Sequence, residues 1–169
     1  MPALRRYALA LTRNQADADD LVQEALLRGH EGRRSFRPGG NLRSWLFSIL
    51  RNAFLDRSRS RKAEARREAE VAAHAPLSMD APQDAAVRLS QLRAALMMLP
   101  DEQREALTLV AVEGLTYAEA AALAGVPVGT LMSRVSRARA WLREFEDGEA
   151  AQGDGPALKL VGGRDADRP

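Results

Sequence analysis

Apolar residues recur three and four positions apart along almost the whole chain, and runs of β-branched residues bounded by turn formers are missing. A chain of this kind is all-helical. Its helix ends are also marked, because the periodic stretches stop at Pro, Gly and short polar side chains that satisfy free backbone groups. A first helix is expected over about 2–12. Asn14 caps a second, with Asp17 three residues on where a capping-box carboxylate sits, and this helix runs to about Glu31 or Arg34. The segment FRPGGN, 36–41, breaks the chain, and Asn41 caps a long helix over 42–62.

Apolar periodicity returns at LRAALMML, 92–99, and Pro100 with Asp101 starts a helix over DEQREALTLVAVEG that Gly114 closes. Thr116 and Glu119 form a T-x-x-E capping box for TYAEAAALAG, closed by Gly125. After Val126 and Pro127 a last helix runs to about Glu146. Between the halves, from Ala63 on, the sequence turns to Ala, Glu and Arg and then to APLSMDAPQD, without a sustained apolar stripe. The expected organisation is two small helical domains, 1–67 and 88–146, joined by a flexible linker at 68–87. The tail, 147–169, holds five of the twelve glycines and little to bury, so it is expected to be disordered.

Charge divides the same way. Residues 1–67 hold 15 Lys and Arg against 7 Asp and Glu, a net of +8, whereas 68–169 hold 10 against 16, a net of −6. Only Lys62 and Lys159 of the basic residues are lysine, and the arginine fork suits phosphates and base edges. A GC-rich genome would also enrich arginine.

Several chemistries find no residues to carry them. The chain has no cysteine, and two isolated histidines, His30 and His74, cannot make a metal site alone, so no cofactor or metal is expected. No carboxylate pair, nucleophile with its base, or phosphate-cradling glycine loop stands out, which argues against an enzyme. No apolar run approaches the ~20 residues of a membrane span, and the N-terminus does not read as a signal peptide. A reducing, cytoplasmic setting fits.

Three surfaces remain. The helices at 117–124 and 128–146, joined by a three-residue turn, match a helix-turn-helix in which Leu131, Val135, Ala138 and Leu142 share the buried face. The opposite face carries Gly129, Ser133, Ser136 and Arg137, flanked by Thr130, Met132, Arg134 and Arg139. Small residues near the helix start allow deep entry into a major groove, and an arginine can fork onto guanine. A plain helical hairpin with a solvated basic face fits the same pattern. In the helix that Asn14 caps, Ala18, Val22, Ala25 and Leu26 form the expected buried side, so Asp20, Gln23, Glu24, Leu27 and Glu31 point away. An exposed leucine in an acidic face suits a partner with basic residues around an apolar notch, unless the neighbouring basic helix covers it. In the helix over 42–62, Ser48, Asn52 and Arg59 line one polar edge, with Arg43 and Arg51 elsewhere on its surface. Asn52 can read a base edge while arginines grip the sugar-phosphate chain; alternatively it caps a buried carbonyl, and Trp45 belongs to the core.

Taken together, the chain resembles a sigma factor of the extracytoplasmic function (ECF) group of the sigma-70 family. DADDLVQEALLRGH (17–30) resembles region 2.1 to 2.2, FRPGGNLRSWLFSILRNAFLDRSRSRK (36–62) regions 2.3 to 2.4, and the stretch over 99–142 region 4. FRPGGNLRSWLF and GTLMSRVSRAR are further similar to a subgroup used in general stress responses. The resemblance implies binding to core RNA polymerase, through Asp20, Gln23, Glu24 and Leu27 on the coiled coil of its largest catalytic subunit. It implies minus-10 contacts by Asn52, Ser48, Arg51, Arg57, Arg59, Arg61 and Lys62, with Asn52 beside a base flipped from the opened strand. It implies minus-35 contacts by Thr130, Met132, Ser133, Arg134, Ser136 and Arg137. An anti-sigma factor is an expected partner, and the free chain is expected to be a monomer. Family members often carry an aromatic or basic residue where Ser136 stands, so the bases read there are expected to differ. A decoy that sequesters an anti-sigma factor without touching DNA is the alternative. A helix-turn-helix dimer and an RNA-binding helical protein are further rivals with less support.

Overall fold

The computed structural model describes residues 2–65 and 84–150, with side chains over 2–61 and 90–146. Every described element is helical: α1 (Pro2–Thr12), α2 (Gln15–Glu31), α3 (Leu42–Ala65), α4 (Asp84–Met98), α5 (Asp101–Leu107), α6 (Tyr117–Ala124) and α7 (Val128–Ala150). A 3-10 turn at Arg33–Ser35 follows α2. The chain divides into two compact units, Met1–Ala81 and Pro82–Pro169.

In the first unit α1, α2 and α3 pack on one another around Leu4, Tyr7, Ala8, Leu11, Ala18, Leu21, Ala25, Phe47, Leu50 and Ala53. The rings of Tyr7 and Phe47 meet at 5.1 Å between centroids. The buried arc of α2 differs from the expected one. Ala18, Leu21, Ala25 and Gly29 are buried, while Val22 and Leu26 are only half-buried. The cause is that α2 packs against α1 on one flank and α3 on the other, which centres its apolar arc on Leu21. Gly29 lets α3 approach closely, since a Cβ there would sit 3.1 Å from Leu46 Cδ2 and 3.6 Å from Trp45.

The caps follow the chemistry of their residues. Asn14 accepts the Asp17 N–H at 3.0 Å, while the Asp17 carboxylate faces α3. Asn41 accepts from the backbone of Arg43 and Ser44 at 3.0 and 3.2 Å, and α3 continues past 62 to Ala65.

The second unit packs α4, α5, α6 and α7 around Ala95, Leu99, Leu107, Leu109, Ala121, Leu131, Val135, Ala138 and Leu142. Helix α4 already begins at Asp84, inside the stretch expected as linker, and α7 continues to Ala150, inside the expected tail. The rest of that linker and tail, 68–83 and 151–169, lies outside the described residues. The expected single helix over 101–114 is instead α5 followed by a π-helical stretch at Thr108–Val112, in which the Glu113 N–H reaches back five residues to the Thr108 carbonyl. Gly114, at φ 69°, then closes it. Arg104, Glu105 and Glu113 are buried here, none of which the periodicity indicates. Among the described residues no helix is long and apolar enough to cross a membrane.

Candidate nucleic-acid interface

The helix-turn-helix is built by local capping. Thr116 Oγ1 accepts the Glu119 N–H at 3.2 Å, and a Glu119 carboxylate oxygen accepts the Thr116 N–H at 2.9 Å. The backbone N–H and the hydroxyl of Thr116 together hold the Glu119 carboxyl below its ordinary range. Gly125 ends α6 in the left-handed region at φ 64°, where its missing Cβ avoids strain. The Val126 N–H then reaches the Ala121 carbonyl at 3.1 Å. From this turn α7 buries Leu131, Val135, Ala138 and Leu142, all four of the face that its spacing marks.

The opposite side of α7 is therefore directed outward. Gly129, Thr130, Met132, Ser136 and Arg137 are exposed, Met132 by 51%, and Ser133 is half-buried. Arg137 Nη2 donates to Ser133 Oγ at 2.6 Å, which lays the guanidinium along the helix over the side chain one turn back. Arg134 is held differently. It is half-buried and pairs with Glu102 of α5 at 2.7 Å, so it stands at the edge of the face rather than in its middle.

On α3, Asn52 is exposed and its amide has no hydrogen-bond partner among the described residues, so it does not cap a buried carbonyl. Ser48 donates its hydroxyl to the Trp45 carbonyl at 2.7 Å and is half-buried, while Arg51 is also half-buried. Trp45, half-buried at the edge of the core, packs on Phe36 with ring centroids 5.3 Å apart and closes over Gly29.

Farther along α3 the arginines are less free than their spacing suggests. Arg57 Nε meets Glu24 Oε2 at 2.5 Å, and its Nη2 donates to the Asp20 carbonyl at 3.3 Å. Arg61 lies 3.5 Å from Asp17, and Arg59 lies 3.9 Å from Asp56 of its own helix. Arg28 bridges Glu24 at 2.7 Å and Asp56 at 2.8 Å, and its bond to Asp56 is the first of the contacts that raise its pKa. A polar cleft lined by Asp17, Asp20, Glu24, Arg57, Ser60 and Arg61 runs between α2 and α3. The side chain of Lys62 lies outside the described residues. Leu27 is 60% exposed, so α3 does not cover it, and Asp20 and Gln23 are exposed around it.

The family model of Sigma-70 region 2 matches residues 1–64, and that of Sigma-70 region 4 matches 89–142. The chain is 44% identical over 156 residues to the ECF RNA polymerase sigma factor EcfG of Rhodopseudomonas palustris, covering 92% of this chain and 86% of that one. It is 40% identical over 145 residues to SigM of Mycobacterium tuberculosis, across 82% of this chain and 69% of the relative. Among solved structures, the sigma factor RpoE of Bartonella quintana, in complex with the anti-sigma factor NepR, shares 40% identity at a TM-score of 0.75, over 85% of this chain and 89% of that one. With a region 2 helical unit, a region 4 helix-turn-helix and relatives matched across most of this chain, the chain belongs to the ECF RNA polymerase sigma factors, which direct core polymerase to initiate at particular promoters.

Proposed function

We propose that this sigma factor divides promoter reading between its units, with α7 taking the minus-35 duplex and α3 the opened minus-10 strand. The observation that carries the division is the outward face of α7, where Ser133, Ser136 and Arg137 lie together because Leu131, Val135 and Ala138 are buried behind them. Thr130 and Met132 sit at its N-terminal end, close enough to meet base edges, and Arg134 reaches the flanking phosphates. Asn52, exposed and with no hydrogen-bond partner among the described residues, takes a flipped base. Ser48 and Arg51 flank it, and Arg57, Arg59, Arg61 and Lys62 follow the sugar-phosphate chain. Unstacking a base costs a few kcal/mol, which contacts to the base and to the phosphates offset.

Asp20, Gln23, Glu24 and Leu27 dock on the coiled coil of the largest polymerase subunit, Leu27 entering an apolar notch and the carboxylates meeting basic residues around it. An anti-sigma factor that covers the same surface blocks docking. The likeness to RpoE held by NepR supports such a partner, and the segments FRPGGNLRSWLF and GTLMSRVSRAR support a place in the general-stress subgroup. The protein acts in the cytoplasm and without catalysis of its own. A decoy that only sequesters an anti-sigma factor has no use for an open Asn52 or an outward Arg137.

Run-off transcription from a genomic promoter library tests the reading. Wild type with core polymerase yields transcripts from a subset of promoters. Asn52→Ala and Arg137→Ala each lower the yield about tenfold or more, since one good side-chain contact to a base carries about 1–3 kcal/mol of discrimination. Absence of any wild-type transcript contradicts it.

A further inference from the structure

Glu24, assigned to polymerase docking, and Asp17 beside that surface on the same helix hold arginines assigned to DNA. Glu24 pairs with Arg57, and Asp17, one turn before Asp20 on α2, lies against Arg61. Asp56 and Arg28 complete the seam, Arg28 joining Glu24 to Asp56. These contacts run between α2 and α3 over sequence separations of 33 and 44 residues, so they come from packing of the helices. An arginine engaged by a carboxylate has fewer donors for a phosphate, and the nearby acid repels the strand.

We propose that this seam is an electrostatic latch: α2 neutralises Arg57 and Arg61 until a basic partner surface takes Glu24 and Asp17, which releases both arginines to the DNA backbone. The proposal rests on the docking surface assigned above and names its regulation. Polymerase is the partner that fits, because its docking surface must be basic to meet this acidic face. By linkage the effect runs both ways: a strand that draws Arg57 and Arg61 away frees the carboxylates for polymerase. The pairs are partly exposed, so each is worth only a modest factor. Together they weaken, without abolishing, the hold of a free chain on nucleic acid.

The test is fluorescence anisotropy with labelled oligothymidylate, a strand whose phosphates bind arginine without base preference. Asp17→Asn with Glu24→Gln is expected to tighten binding by the free chain about fivefold at low salt. Glu31→Gln, which removes an acid at the other end of α2, changes affinity much less. The gain disappears when Arg57 and Arg61 are also replaced by glutamine. It also closes when every variant is saturated with core polymerase. Tightening no greater than that of Glu31→Gln, persistence without the two arginines, or an undiminished gain in the polymerase-bound state each overturns the latch. A chain that fails to bind polymerase at all defeats the docking reading and the release step with it, while the free-chain measurement still decides whether the pairs restrain the arginines.

Discussion

Phe47→Ala is expected to cost the N-terminal unit about 3–5 kcal/mol and so to unfold most of it at physiological temperature. Phe47 is 0% exposed and stands where α3 meets α1, its ring against Tyr7. Alanine leaves a hole bordered by the Tyr7 ring and by closely packed helices, so the site collapses only partly around it. A unit of this size has a total stability of only about 3–10 kcal/mol, which makes the loss decisive. The measurement can be made one unit at a time, because Trp45 lies in the first unit and Trp141 in the second. With Trp141→Phe as background, urea unfolding followed by Trp45 fluorescence should show the transition shifted to near zero denaturant, while a background of Trp45→Phe should show the second unit unmoved. A loss below about 1 kcal/mol would mean that Phe47 is not central to the packing.

Arg104→Ala should lower the stability of the second unit by about 2–4 kcal/mol. The side chain is 0% exposed although it carries a charge. Its Nη1 donates to the Leu99 carbonyl at 2.8 Å, at the corner where α4 gives way to α5, and its Nη2 meets Asp101 at 2.6 Å. Asp101 is 76% exposed, so one end of the guanidinium's partner set keeps contact with water. What alanine removes is the packed aliphatic stem and the donor to a carbonyl at a corner that cannot easily re-form its bond. Arg104→Met restores much of the volume without the donor, and is expected to recover part of the loss. Unfolding followed by Trp141 fluorescence measures both. Equal stability of the alanine variant and wild type would show that the corner is held by the other contacts of α5.

Features that depend on near neighbours along the chain are legible in the amino-acid sequence. Thr116 with Glu119, Asn14, Asn41 and Gly125 each act within a few residues, and each lies where its chemistry places it. Leu131, Val135, Ala138 and Leu142 are legible too, because their spacing leaves one continuous stripe for the rest of the second unit to cover. On α2 the same reasoning misses Leu21 and Gly29, since a helix gripped by two neighbours buries a wider arc than a single stripe. Charged residues usually lie at the surface, and the burial of Arg104, Glu105 and Glu113 depends on partners that only the fold supplies. The pairs of Arg57 with Glu24 and Arg61 with Asp17 join residues far apart in the chain. No local pattern marks them, yet they decide how free the basic half of α3 is. The exposed site residues, by contrast, follow from what the core leaves out: once Phe47, Leu50 and Ala53 are buried, Asn52 faces solvent.

Tethered modules gain affinity when a scaffold fixes their separation, with no need for new contacts by either one. Equilibrium binding of promoter DNA by the purified chain, with and without stoichiometric core polymerase, measures this directly. Tight, promoter-selective binding is expected from the polymerase complex alone, and weak, unselective binding from the free chain. Failure of the chain to associate with core polymerase, or equal promoter affinity with and without it, would contradict a division of promoter reading that depends on polymerase.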